Sequence, residues 1–151
     1  MKLQQILTPT KVARPGMKVR ELFDECTRIG TPGLPFCDSS ERVVGRVTMK
    51  NIFKHCFLPD FMIELASVLG EQLSHMQDMD AETNKLLDSP VDSYVRRAHI
   101  LLPPDAPIIK ALAMMEKYST SYVFVVDEGR YIGVVTIGSL ASALLLADQG
   151  I

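Results

Sequence analysis

Between residues 18 and 29 the apolar positions Val19, Leu22, Phe23, Cys26 and Ile29 recur with the period of an amphipathic helix. Gly30 and Pro32-Gly33 end it. Upstream, Leu3, Ile6 and Leu7 suit a short helical turn that stops at Thr8-Pro9, and Val12-Ala13 begin an extended segment punctuated by Pro15-Gly16. Downstream, Leu34–Cys37 reads as a short buried strand, 38–41 as a turn, Arg42–Thr48 as a second strand and Lys50–Phe57 as a helix. The C-terminal part repeats the order. Residues 91–95 form a turn, Ile100–Leu102 is extended, and a helix runs from Pro107 to Tyr118 with Ile108, Leu112 and Met115 on one face. The β-branched and aromatic run Tyr122–Val126 is a strand, Asp127-Glu128-Gly129-Arg130 a hairpin-like turn, Tyr131–Thr136 a strand and Ser139–Ala147 a closing helix.

Between the halves, Pro59-Asp60 suits a helix start with Asp60 as its cap. Phe61, Leu65, Val68, Leu69, Leu73 and Met76 then make an apolar stripe at helical spacing, and residues 78–82 are acidic and linker-like. The stripe has two destinations at this stage: the chain's own core, or a second copy of the chain.

The two halves align residue on residue. Pro15 falls on Pro104, Thr31 on Thr120 and Asp38 on Asp127. After a one-residue gap, Arg42 falls on Arg130, Gly45 on Gly133, Val47 on Val135 and Thr48 on Thr136. Val19 with Ile108, Phe23 with Leu112 and Cys26 with Met115 keep the apolar register. The repeating unit is about sixty residues, which buries too little surface to be stable alone and so packs against its copy. Its best-marked stretch is Gly45-Arg46-Val47-Thr48-Met49-Lys50-Asn51-Ile52, echoed by residues 133–140. In each, a strand passes a glycine-permitted turn region and a Thr faces the opening of a helix. Free N–H groups and the helix dipole make such a corner receptive to anions, although a Thr there is also an ordinary N-cap.

This duplicated pattern resembles the cystathionine-β-synthase-type (CBS) domain, which occurs in tandem pairs, over all of the chain except roughly residues 57–90. The resemblance implies an α+β fold: two β-α-β-β-α units, 1–56 and 91–151, about a pseudo-twofold axis, separated by a helical insert at 57–90. It implies a stand-alone regulatory module that senses AMP, ADP, ATP or a related adenosyl ligand between the repeats, with no required cofactor. Carried onto this chain, the first cleft is Thr8, Thr10, Val12, Gly33, Leu34, Pro35, Thr48 and Asn51. The second is Arg97, His99, Ile100, Tyr122, Val123, Thr136 and Ser139. Gly33-Leu34-Pro35 matches the family's Gly-x-Pro approach to the base, Thr48 would meet phosphate, and Lys50 and Lys11 would supply charge. Tyr122 would stack on a base or fill the space. The family's ribose-binding Asp is replaced in both units, by Asn51 and by Ser139. Asn51→Asp would restore a carboxylate and strengthen ribose binding by about 1–2 kcal/mol. The alternative is a ligand-free structural or interaction module. CBS pairs commonly form disc-like dimers, so the resemblance and the apolar stripe together imply a homodimer.

Composition narrows the classes. The chain has 151 residues, 47% of them hydrophobic, and a net charge of −2. No basic stripe with interleaved aromatics supports nucleic-acid binding, and the short runs Arg96-Arg97 and Lys50–Lys54 read as solvated surface. Cys26, Cys37 and Cys56 are scattered and odd in number, which suits a reducing, cytoplasmic setting; Cys26 and Cys37 read as small core residues. The start of the chain has no signal-peptide apolar region, and the longest apolar run, at 140–147, is far short of the roughly 20 residues that span a bilayer. His55, His75 and His99 lack companions at metal-ligand spacing, Asp38 and Asp127 read as turn formers, and no nucleophile–base set or phosphate loop of known pattern occurs. The expectation is a regulatory protein and not an enzyme; its ligand and the protein it regulates are not readable from the residues.

Overall fold

A computed structural model describes residues 1–69, 79–98 and 100–150. Its helices are α1 (Val19–Ile29), α2 (Met49–Phe57), α3 (Asp60–Leu69), α4 (Met79–Asp88), α5 (Ile108–Lys117) and α6 (Ile137–Asp148). Its strands are β1 (Gly33–Cys37), β2 (Val43–Thr48), β3 (Leu101–Leu102), β4 (Tyr122–Asp127) and β5 (Arg130–Thr136). The second unit shows the expected β-α-β-β-α order; the first shows α-β-β-α, with an isolated bridge at Ala13 in place of its first strand.

In the second unit β3 runs parallel to β4, and β4 antiparallel to β5. The first unit pairs β1 antiparallel to β2, and Ala13 adds a single parallel bridge at Phe36, where β3 stands in the copy. Helix α1 buries Val19, Leu22 and Cys26 on this small sheet, as its period predicts, and Gly30 closes it in the left-handed conformation at φ 84°. Helix α5 differs from expectation. Ala111 and Met115 face the core, while Leu112 is 37% exposed, because the helix presents a narrower apolar stripe to its strands.

Two cores result. One gathers Ala13, Val19, Leu22, Cys26, Leu34, Val47 and Ile52, and the other Ala111, Met115, Val123, Val125 and Val135. Each is completed by a segment that belongs, in sequence, to the other half. Leu3, with Ile6 and Leu7 against it, packs into the second unit's core, while Val91, Tyr94 and Val95 pack into the first. The exchange is hydrogen-bonded: Thr8 and Val134 trade backbone bonds at 2.9 Å each way, and Arg46 and Arg96 do so at 2.8 and 2.9 Å.

The exchange explains the repeated glycines. Gly45 and Gly133 lie inside strands, not at turns. A Cβ on Gly45 would come 2.6 Å from Val95 Cγ1 and 2.8 Å from the Arg96 carbonyl oxygen; one on Gly133 would come 2.7 Å from Leu7 Cδ1 and 2.9 Å from the Thr8 carbonyl oxygen. Each glycine is the place where the incoming segment crosses.

Three features of the insert depart from the sequence reading. Asp60 is the first helical residue of α3 and not its cap, so its carboxylate sits in the first turn. Residues 79–82, read as linker, open α4, whose Leu86 and Leu87 gain burial against the first core. The α3 stripe does not enter the core: Phe61, Leu65 and Val68 are exposed, at 48%, 44% and 75%, and Met62 is the residue that is buried. Leu73 and Met76 lie outside the described residues.

Candidate functional site

The fold leaves two clefts between the units, each built around one of the repeated threonines. Both threonines cap the helix that follows. Thr48 Oγ1 accepts from the Asn51 N–H at 3.2 Å and Thr136 Oγ1 from the Ser139 N–H at 3.0 Å. In the second unit Ser139 Oγ also accepts from the Thr136 N–H at 3.1 Å and lies 3.1 Å from Thr136 Oγ1. Among the described residues no side-chain hydroxyl stands against Thr48 Oγ1 in this way.

The Thr48 cleft has a volume of about 680 Å³, lined by Arg46, Thr48, Lys50, Asn51 and Lys54 from the first unit and by the end of α5 through Tyr122 from the second. A further space of about 450 Å³ shares Arg46, Thr48, Asn51 and Lys54 and adds Arg96 and Arg97. The Thr136 cleft, about 650 Å³, is lined by Met1, Gln5, Ile6, Thr8, Ile29, Gly30, Thr136 and one face of α6 from Gly138 to Ala147.

The lead-in segments are therefore exchanged between the clefts relative to the sequence assignment. Thr8 stands with Thr136 and Ser139, whereas Arg97 and Tyr122 stand with Thr48 and Asn51. The resemblance carries Thr8 into the set of Thr48 and Tyr122 into the set of Thr136, but each lead-in segment crosses the pseudo-twofold to bridge the far sheet. Ile100 joins Arg46 and Tyr122 at a small void beside the Thr48 cleft. Thr10 hydrogen-bonds Tyr131 across the units at 2.7 Å. Leu34 and Val123 are wholly inside the two cores, Gly33 and Pro35 are buried in β1, and Val12 is half-buried beside them. His99 lies outside the described residues. Lys11, expected to supply charge, does not line the cleft; its N–H donates to the buried Glu25 at 2.7 Å.

Arg46 is the residue that sequence reasoning missed. Its Nε donates to the Arg97 carbonyl at 3.1 Å and its Nη1 to the Tyr122 hydroxyl at 3.0 Å, so it lies across both units at the cleft. Burial raises the Tyr122 phenol pKa, which keeps that hydroxyl neutral beside the guanidinium. Arg96 Nη2 lies 2.6 Å from His55 Nε2. The Asn51 amide donates to the Tyr94 carbonyl at 3.1 Å. The sequence signal for Arg46 was its alignment with Val134, an arginine where the copy has an apolar residue.

Residues 91–146 match the family model described as the CBS domain. Between 94% and 97% of the chain superposes on three solved CBS structures. The fold is that of a CBS-domain pair. The CBS domain of a membrane protein from Sphaerobacter thermophilus matches with TM-score 0.67 at 15% identity over 94% of this chain and 86% of that one. The CBS pair of protein MJ0100, solved with 5′-methylthioadenosine and S-adenosyl-L-methionine, matches with TM-score 0.62 at 18% identity over 95% of each chain. Protein CBSX2 in complex with AMP matches with TM-score 0.63 at 18% identity over 97% and 98%.

Among curated proteins the similarity is slight. The A-adding tRNA nucleotidyltransferase of Aquifex aeolicus is 23% identical over 137 residues, 90% of this chain but 13% of that protein. Protein MJ0450 of Methanocaldococcus jannaschii is 43% identical over 37 residues, 24% of this chain and 20% of that protein. The chain thus spans a small part of the curated relatives it matches. Among the described residues no helix of the CBS pair is long and apolar enough to cross a membrane, and no group of side chains is placed to hold a metal ion.

Proposed function

We propose that this CBS pair is a regulatory module that binds an adenine nucleotide or a related adenosyl ligand in the Thr48 cleft and signals by a change of arrangement or association. The observation that carries the reading is the cleft itself: open, bounded by both units, with the Thr48 hydroxyl at the first turn of α2 and basic side chains around it. A ligand held by both units would favour one arrangement of them over another, which is what a regulator requires. Neighbours of the same fold solved with AMP and with S-adenosyl-L-methionine support the ligand class. The same reading takes the module as regulatory rather than catalytic. Three free cysteines suit a cytoplasmic setting, and the protein it regulates would be met through its outer faces.

Calorimetric titration with AMP, ADP and ATP tests the reading, together with native mass spectrometry of protein taken from cells. Saturable heat at one site per chain, or a co-purifying adenosyl mass, is the expected result; neither would overturn it. A second reading, a ligand-free interaction module, is favoured by one observation. Both ribose carboxylate positions are replaced, and the Asn51 amide is already committed to Tyr94.

We also propose a homodimer built through the exposed helical faces. Ile109 on α5 and Ile137, Leu144, Leu145 and Leu146 on α6 are between 47% and 73% exposed, alongside the α3 stripe.

A further inference from the structure

The repeat makes the two clefts equivalent, but their chemistry is not. Arg46 stands where the copy has Val134, Lys50 where it has Gly138, and Lys54 where it has Ser142. Arg96 meets β2 where Thr8 meets β5. The Thr48 side therefore carries Arg46, Lys50, Lys54, Arg96 and Arg97, opposed by one lining carboxylate, Glu116, while no charged side chain lines the Thr136 side.

None of those five cations stands in an ion pair among the described residues. Among the described residues the ion pairs are Arg14–Glu41, Arg20–Asp88 and Arg28–Glu25, all away from the cleft. Arg46 is held instead by a phenol and a carbonyl, and Arg96 by an imidazole nitrogen. Neutral acceptors hold these groups in place without cancelling their charge, which preorganises them for an anion. In a chain of net charge −2, crowding five positive groups costs repulsion that a bound anion relieves.

We propose that the Thr48 cleft is a polyphosphate site, gripping a ligand by two or more phosphate groups, and that the Thr136 cleft, with no basic side chain in its lining, holds phosphate far more weakly. This rests on the proposed nucleotide reading for the rest of the ligand but not for the phosphate grip. Because the same cleft is lined by the end of α5 through Tyr122 of the second unit, a ligand gripped by these cations at its phosphates would touch both units. The cleft would then report phosphate number as well as the presence of a nucleoside.

The test is calorimetry on the full chain with inorganic triphosphate, adenosine, AMP and ATP, at low and high salt, with a short single-stranded RNA as competitor. Inorganic triphosphate should bind at one site per chain, ATP should bind at least about tenfold more tightly than AMP, and both affinities should fall with salt. Lys54→Ser, which copies Ser142 at an exposed position, should weaken triphosphate about tenfold with an unchanged melting temperature. Arg46→Val, which copies Val134, should do the same and also lose the Tyr122 bond. Ser142→Lys in the other cleft should leave the wild-type site intact.

Equal affinity for AMP and ATP, or no heat from inorganic triphosphate, would overturn the proposal while leaving adenosyl binding standing. Triphosphate binding with no gain from the adenosine moiety would keep the polyphosphate site and sink the adenine reading. RNA that binds and is not displaced by triphosphate would assign the basic groups to a nucleic acid and overturn it.

Discussion

Asn51 and Glu25 show how a neighbour changes what a residue can do. From sequence, Asn51→Asp restores a ribose carboxylate. In the fold the Asn51 amide also fastens the turn at 91–94 to α2 through the Tyr94 carbonyl, and an aspartate would set its oxygen against that carbonyl. The substitution should therefore cost about 1 kcal/mol of stability, measured by urea unfolding, whatever it adds at the ligand. Glu25 is 1% exposed, yet it accepts from the Lys11 N–H and pairs with Arg28. Burial alone would raise its pKa, but the Lys11 N–H and Arg28 outweigh it and hold the carboxyl below its ordinary value of 4.5. A group depressed on folding stabilises fully above its unfolded pKa and loses that contribution as pH falls through the folded value. The wild-type melting temperature should thus drop as pH falls below the ordinary value of 4.5, and Glu25→Gln, less stable above it, should drop less. Cys26 and Cys37 are core residues as expected; burial pushes the Cys26 thiol up to about 12 and raises Cys37 as well. Half-buried Cys56 should accordingly react first with a thiol reagent in the native state, followed by mass spectrometry.

The strands and helices depend on crossings that no single unit contains. Gly45→Ala would drive a methyl against Val95 and the Arg96 carbonyl, both partly fixed by the β2 bridge. Loss of about 1–3 kcal/mol is expected in unfolding experiments, and Gly133→Ala should match it through Leu7 and Thr8. Helix α3 makes the opposite case. Leu65 is 44% exposed, so Leu65→Asp should leave subunit stability within about 0.5 kcal/mol of wild type and act on association instead. An unchanged sedimentation mass would remove α3 from the interface.

The whole molecule is expected to sediment as a dimer at micromolar concentration, because the leucines of α6 lie uncovered on a chain this small. A monomeric mass would count against the homodimer. Helix and strand periods, the terminating glycines and the duplicated Gly-x-x-Thr were enough to read the order of elements, the repeat and the α+β architecture, since these depend on local spacing. They could not show that residues 1–8 complete the second core, or that Val91 and Tyr94 complete the first. That exchange regrouped Thr8, Arg97 and Tyr122 between the clefts. It also turned Lys50–Lys54 and Arg96-Arg97, two unremarkable surface runs, into one basic wall. Charge converging from distant segments has no local period. It appears only when hydrophobic burial has decided which segments cross.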